Sequence, residues 1–274
     1  MFESILNNVQ EKTPLIHCIT NYVTVNDVAN VLLACGGSPT MADDESDAVE
    51  ITAICHGLVI NIGTLNQRTI SAMLKVGKKA NELSHPVVLD PVGAGASKLR
   101  TDTTFKLLEE VKFSVIRGNI SEIKTVAKGS GTTRGVDADA SDAVTEENLD
   151  EAISFAKELS ASLGSIIAIT GAIDLVADAD KAYIIRNGHQ MMAKITGSGC
   201  MLTAVIAAYC AANPGKFLDA TSAAVCAFGL CGELAYDKVV KNDGGTASYR
   251  TYLIDAVSKM DWKTLKEGMK IETR

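Results

Sequence analysis

Leu58-Val59-Ile60-Asn61-Ile62 and Val87-Val88-Leu89-Asp90 are short, nearly continuous apolar runs rich in β-branched residues, separated by a helix-length segment around 67–83. Runs of that length and make-up read as strands buried on both faces, as in a parallel sheet covered by helices. The pattern repeats in Ser114-Val115-Ile116 and Ile166-Ile167-Ala168-Ile169-Thr170, with helical segments around 100–112, 121–128 and 145–163. Such alternation predicts an α/β fold with a central, mostly parallel sheet. Leu175-Val176-Ala177 and Ala182-Tyr183-Ile184-Ile185 then flank a turn-like Asp178-Ala179-Asp180, which predicts a β-hairpin, and helices dominate beyond residue 197. No repeat or low-complexity linker interrupts the chain, so 1–274 is read as one domain, with 129–142 its best candidate for a mobile surface loop.

Composition agrees with that class. Apolar residues make up 47% of the chain, charged residues 22% and aromatics only 5%, so the core must be layers of Ala, Val, Ile and Leu. A net charge of −7 offers no basic patch and argues against nucleic acid as a partner. Seven cysteines, at 18, 35, 55, 200, 210, 226 and 231, form no CxxC pair and mostly lie in apolar stretches. That usage reads as a reducing, cytoplasmic setting without disulfides. Met1-Phe2-Glu3-Ser4-Ile5-Leu6 lacks the basic and apolar regions of an export signal. The most apolar stretch, 201–233, is broken by Asn213-Pro214-Gly215-Lys216 and reads as two buried helices, not a membrane span.

In open parallel sheets, ligands bind beyond the carboxyl ends of the strands, so the polar residues that end these runs carry the functional reading. Asp90 is followed by Pro91-Val92-Gly93-Ala94-Gly95, a rigid turn with two glycines. Its carboxylate is placed to hold a water-coordinated Mg²⁺ beside a phosphate, or simply to cap the turn. Arg117-Gly118-Asn119-Ile120-Ser121-Glu122 leads from a strand into a helix. Arg117 suits a phosphate and Glu122 suits metal-bound water, while Asn119 and Glu122 also have the spacing of a capping box. Thr170-Gly171 offers a hydroxyl and accessible backbone to a nucleotide.

Gly197-Ser198-Gly199-Cys200 precedes the apolar run 201–208. Glycines at a helix start let backbone N–H groups approach an anion, although a plain tight turn has the same sequence. Cys200, at that helix start, is expected to have a lowered pKa and to act as base or nucleophile, against the plainer reading of a buried thiol. The polar stretches His17-Cys18-Ile19-Thr20-Asn21-Tyr22-Val23-Thr24 and Gly36-Gly37-Ser38-Pro39-Thr40-Met41-Ala42-Asp43 read as loops around a small polar substrate with an apolar body. His17 is favoured as a structural histidine over a catalytic one, and Asn26 or Asp27 as a helix cap.

Taken in order, these motifs resemble the hydroxyethylthiazole kinases of thiamine salvage, a branch of the ribokinase-like superfamily. The matching segments are 14–30, 36–44, 61–65, 90–97, 117–122, 170–171 and 196–202. The resemblance implies a three-layer α/β/α sandwich and transfer of the ATP γ-phosphate, with Mg²⁺, to the primary hydroxyl of 5-(2-hydroxyethyl)-4-methylthiazole. It also implies a homotrimer with active sites between subunits. By resemblance, Met41 and Gly197 lie at the thiazole, with Asn21 and Val23 lining its pocket. Arg117, Thr170 and Gly171 lie at ATP, and Asp90 and Glu122 near the metal. Cys200 matches the position where most of the superfamily carries an aspartate base, and the thiazole kinases typically have cysteine there. The alternatives are a kinase for a related pyrimidine or vitamin alcohol, a nucleotide-binding sensor, and a thiol hydrolase using Cys200 with His17, His56, His85 or His189 as base.

Overall fold

A computed structural model describes residues 2–129 and 143–274. In chain order the first part holds α1 (Phe2–Lys12), β1 (Leu15–Ile19), α2 (Val25–Ala34), β2 (Ser38–Thr40), α3 (Glu45–Ile54), β3 (Gly57–Asn61), α4 (Gln67–Glu82) and β4 (Val87–Asp90). Then come α5 (Lys98–Glu110), β5 (Val115–Gly118), α6 (Ile120–Gly129), α7 (Leu149–Leu163), β6 (Ile166–Ile169), β7 (Asp174–Ala177) and β8 (Ala182–Ile185). The chain ends with α8 (Ser198–Ala212), α9 (Phe217–Lys241), α10 (Thr246–Ser258), α11 (Trp262–Gly268) and β9 (Ile271–Thr273). Apart from Gly129, which ends α6, the loop expected at 129–142 lies outside the described residues.

The strands form one sheet in the order β2-β1-β3-β4-β5-β6-β7-β8-β9. Neighbours from β2 to β6 are parallel, and β7, β8 and β9 add an antiparallel edge. Strand residues alternate between two apolar layers, as the two-residue period of a strand requires. Cys18, Val59, Val88, Val115 and Ala168 pack with α1, α2, α8, α9 and α10 on one face. Leu58, Ile60, Leu89, Ile116 and Ile167 pack with α4 to α7 on the other. The outcome is the three-layer α/β/α sandwich expected, with the hairpin β7–β8 in place.

Local sequence accounts for many element boundaries. Asn66 and Thr69 form a reciprocal capping box at the start of α4, and Ser97 and Asp44 cap α5 and α3. By length and composition α9 could cross a bilayer, but it is packed against α8 and α10 with most of its apolar stretch buried. All seven cysteines are free.

Two expectations need correction. The polar stretch from His17 is not a loop at its start: Leu15–Ile19 is an interior strand, and Ser38–Thr40 is the parallel edge strand beside it. His17 is tolerated there because Nδ1 pairs with Thr52 Oγ1 and Nε2 with the Ala42 carbonyl, both at 2.8 Å. With every ring nitrogen partnered, burial costs it little, and its pKa falls below the usual value mainly through desolvation. The second correction is β9, a strand in a stretch expected to be helical, which pairs antiparallel with β8.

Candidate active site

The two-residue period that sorts the core also aims the site. In β3, β4, β5 and β6, the residue two places beyond Val59, Val88, Val115 and Ala168 is Asn61, Asp90, Arg117 and Thr170. All four therefore leave the sheet on the α8 face at the carboxyl ends of parallel strands, where α8 begins. The β3–β4 register sets Asn61 directly beside Asp90.

Asp90 is fully buried. Its Oδ2 accepts from Asn61 Nδ2 at 2.7 Å and Thr203 Oγ1 at 2.9 Å. Its Oδ1 has no hydrogen-bond partner, and Arg117 Nη1 lies 3.7 Å away. Burial pushes the Asp90 carboxyl up to about 6, against the pull of Arg117 and the two hydrogen bonds. An oxygen without a partner on a buried carboxylate suits a cation. Glu122, whose charge is felt at Asp90, is otherwise engaged: Oε1 accepts from Gly93 N and Oε2 from Asn119 N, both at 2.8 Å. Asn119 Oδ1 in turn accepts from Glu122 N at 2.9 Å, so the expected capping box is present and also ties the Asp90 turn to α6. Each Glu122 oxygen keeps a lone pair, which suits a metal-bound water better than direct ligation. No group of three His, Cys, Asp or Glu side chains among the described residues forms a ready metal cage, so a divalent ion here would need oxygens from a bound phosphate.

Gly197 sits in the left-handed region at φ +88 and caps α8. A Cβ there would approach Thr24 Cγ2 to 2.7 Å, and one on Gly199 would lie 2.5 Å from Arg117 Nη1. The first helical hydrogen bond of α8 runs from Met201 N to Gly197 O, leaving the amides of 198–200 without intrahelical acceptors. Glycine therefore does two jobs here: at 197 it permits the turn, and at 199 it lets a guanidinium lie against the helix start. Gly199→Ala is expected to displace the flexible Arg117 tip and raise KM for ATP about tenfold, the value of one charge-assisted contact, with little change in melting temperature. Gly197→Ala should instead cost about 1–3 kcal/mol in stability, because an L side chain is strained at that φ. Thermal melts and ATP titration separate the two.

Cys200, the only half-buried cysteine, accepts hydrogen bonds from Asn21 Nδ2 at 3.2 Å and Asn61 Nδ2 at 3.3 Å. Contrary to expectation its pKa is raised, first by burial and then by the charge of Asp90, which outweigh the side chains of Thr24, Asn21 and Asn61 beside it. The helix start does not make it a resting thiolate. No histidine hydrogen-bonds it. His17 is spent on Thr52 and Ala42, His56 accepts from Leu15 N, and His189 caps Met191 and stacks on Tyr236. His85 lines a separate hollow with Lys112 and Phe217. The thiol-hydrolase alternative therefore lacks its base.

One cavity opens on this junction and a second lies beyond Asn21. One of about 730 Å³ is lined by Arg117, Thr170, Gly171, Asp174, Ser198 and Gly199, among others. Arg117 Nη2 donates to Thr170 Oγ1, and Gly171 N to Asp174 Oδ1 at 2.8 Å. Burial pushes the Asp174 carboxyl up to about 7, against the Gly171 bond and Arg117. The other cavity, about 370 Å³, is lined by Thr20, Tyr22, Met41 and Arg68, among others. Asn21, between Thr20 and Tyr22, joins it to Cys200. Of the residues singled out from sequence, Asn21, Asp90, Arg117, Thr170, Gly197 and Cys200 meet around the start of α8, and Glu122 and Gly171 stand just behind. Met41 lies on the far wall of the smaller cavity. Val23 lines neither cavity and is 57% exposed. Sequence reading missed Asn61 and Thr203 as site residues. The strand-end rule that found Asp90 applies equally to Asn61, and Thr203 is the one polar residue in the run 201–208.

A parallel sheet whose strand ends gather a carboxylate, a guanidinium and a glycine-started helix between two cavities is the layout of a ribokinase-like small-molecule kinase. At the level of fold alone, the chain superposes on pyridoxal kinase from Staphylococcus aureus in complex with pyridoxal, with a TM-score of 0.60 at 16% identity over 95% of this chain and 97% of that one. A hydroxyethylthiazole kinase structure from Pyrococcus horikoshii matches at a TM-score of 0.88 and 33% identity over 100% and 98% of the two chains. The hydroxyethylthiazole kinase of Clostridium acetobutylicum is 60% identical over the full length of both chains, and that of Methanobrevibacter smithii 44% identical over 98% and 95%. The model of the hydroxyethylthiazole kinase family matches residues 6–263, and the chain belongs to that family.

Proposed function

We propose that the chain transfers the γ-phosphate of ATP to the primary hydroxyl of 5-(2-hydroxyethyl)-4-methylthiazole in thiamine salvage. The observation that carries this reading is the junction at 197–200, where the larger cavity is lined by Ser198 and Gly199 and where Asn21, between two residues of the smaller cavity's wall, donates to Cys200 Sγ. ATP takes the larger cavity over Arg117, Thr170 and Gly171. The thiazole takes the smaller one, against Met41, with Asn21 and Gly197 near the reacting hydroxyl. Arg117 and the free amides of 198–200 supply positive charge where the transferring phosphoryl group needs it. Asp90, and Glu122 through water, would hold a Mg²⁺ ion, which would supply the remaining charge neutralisation.

Phosphoryl transfer through a loose transition state asks little of a base, so the raised pKa of Cys200 is compatible with turnover. Cys200→Ala is expected to lower kcat only about tenfold, less than the usual contribution of a general base. Cys200→Asp should retain or raise kcat, since its carboxylate would accept the same two amide N–H bonds. A well-folded but inactive Cys200→Ala enzyme would overturn this modest role.

The assembly we propose is a homotrimer with sites between subunits. Tyr22 and Val23, 79% and 57% exposed beside buried Asn21, are apolar side chains at the site rim that a neighbouring subunit would cover. ATP consumption with hydroxyethylthiazole, compared with the hydroxymethyl pyrimidine, tests the function. Turnover confined to the pyrimidine would replace it with the related vitamin-alcohol kinase.

A further inference from the structure

We propose that Asn61 is a positioning residue whose single amide group holds the Asp90 carboxylate and the Cys200 sulfur at a fixed separation. The proposal rests on the kinase reading above and adds a residue to it. Asn61 ends β3 in register with Asp90, so its side chain leaves the sheet beside that carboxylate and beneath the start of α8. Its Oδ1 accepts from Gly63 N at 3.0 Å, and a backbone N–H can only donate, which sets the orientation of the amide. Nδ2 must then face the other way, and it does, 2.7 Å from Asp90 Oδ2 and 3.3 Å from Cys200 Sγ.

The same logic orients Asn21. Its Oδ1 accepts from Thr24 N at 3.1 Å, so its Nδ2 is turned toward Cys200 Sγ and Asn61 Oδ1. The sulfur therefore rests on two amide donors whose own orientations are locked by backbone, and any S–H proton must point away from them. Among the described residues only Asn61 donates to both the sulfur and the carboxylate. A hydroxyl can donate once, to one of the two; alanine donates to neither.

The test compares Asn61→Ala, Asn61→Ser, Cys200→Ala and the double variant Asn61→Ala/Cys200→Ala, assayed with MgATP and hydroxyethylthiazole. Asn61→Ala is expected to lower kcat about 30-fold, the equivalent of two lost hydrogen bonds, with both KM values within about threefold of wild type. Asn61→Ser should fall between alanine and wild type. The double variant should be slower than Asn61→Ala by clearly less than the roughly tenfold loss of Cys200→Ala, because a sulfur that has lost its Asn61 donor and keeps the one from Asn21 has less to contribute. A kcat within threefold of wild type for Asn61→Ala, a loss confined to KM, or fully multiplicative losses would overturn the assignment. Should Asn61→Ala fail to fold, Asn61→Ser carries the comparison. Absence of wild-type turnover on the alcohol would count against the kinase reading alone. In that case iodoacetamide labelling of Cys200, followed by peptide mapping at a single pH, still reads the contact. Labelling should slow severalfold in Asn61→Ala, because its thiolate loses a donor, and unchanged or faster labelling would overturn the proposal.

Discussion

Replacing Arg117 with alanine is expected to lower kcat/KM for ATP about 10²–10³-fold, the loss typical when one donor to developing negative charge is removed. Its side chain is only 13% exposed, lies across the floor of the larger cavity, and is held by Thr170 Oγ1 on one side and the open N-terminus of α8 on the other. Its Nε is buried and without a hydrogen-bond partner. Arg117→Lys keeps the charge but cannot reproduce the fork, and should recover only part of the loss. Alanine also removes from Asp90 the cation 3.7 Å from its Oδ1, which should push that carboxyl further above its present value of about 6. Steady-state kinetics over an ATP series checks the first claim. An Arg117→Ala enzyme within tenfold of wild type would remove Arg117 from the phosphate site.

Asp90→Asn is expected to lower turnover at least 100-fold while stabilising the metal-free protein. The neutral amide cannot offer the buried anionic oxygen that the phosphate-bound cation requires. The stability gain follows from linkage. The folded-state pKa of Asp90, about 6, lies above the unfolded value near 3.8, so ionised Asp90 destabilises the fold at any pH above 6. A shift of roughly two units, already net of the attraction to Arg117, corresponds to at most about 3 kcal/mol. The variant should therefore melt a few degrees higher than wild type at pH 8 in chelator. The difference should shrink as pH falls from 6 through 4 and disappear below about pH 3, where the wild-type carboxyl is protonated in both states. A variant that melts lower at pH 8 would mean that the Asn61, Thr203 and Arg117 contacts already outweigh the burial of the charge.

Such a cost at a strand end is what a binding site for a charged ligand looks like before the ligand arrives. Asp90 and Asp174 are both pushed upward by burial, and both lie near Arg117. Ligand charge entering the larger cavity changes the balance for both, so nucleotide binding should be coupled to proton uptake or release between pH 6 and 7.

Much of this was legible in the chain itself. Strands β3 to β6 are buried on both faces, so they read as unbroken apolar runs, and the intervening helices followed from spacing. Strand β1 was hidden because His17 looks like a loop residue until Thr52 and the Ala42 carbonyl, 35 and 25 residues away, are brought to its ring. Strand β2 is three residues with a proline at a sheet edge, and β9 is three residues that pair only with β8, so neither has a local signature.

The sequence by itself determined the alternation of strand and helix, the membership of Asp90, Arg117, Thr170 and Cys200 in one set of strand-end and helix-start residues, and the two glycines before α8. These are local properties, set by side-chain periodicity and backbone freedom. Tertiary structure alone decided what those residues experience. It buried the Cys200 thiol, beside the Asp90 carboxylate, and so raised the pKa that a helix start would have lowered, it engaged both Glu122 oxygens with backbone amides, and it set Asn61 between carboxylate and sulfur. Burial and through-space charge depend on groups distant in the chain, which no local motif displays.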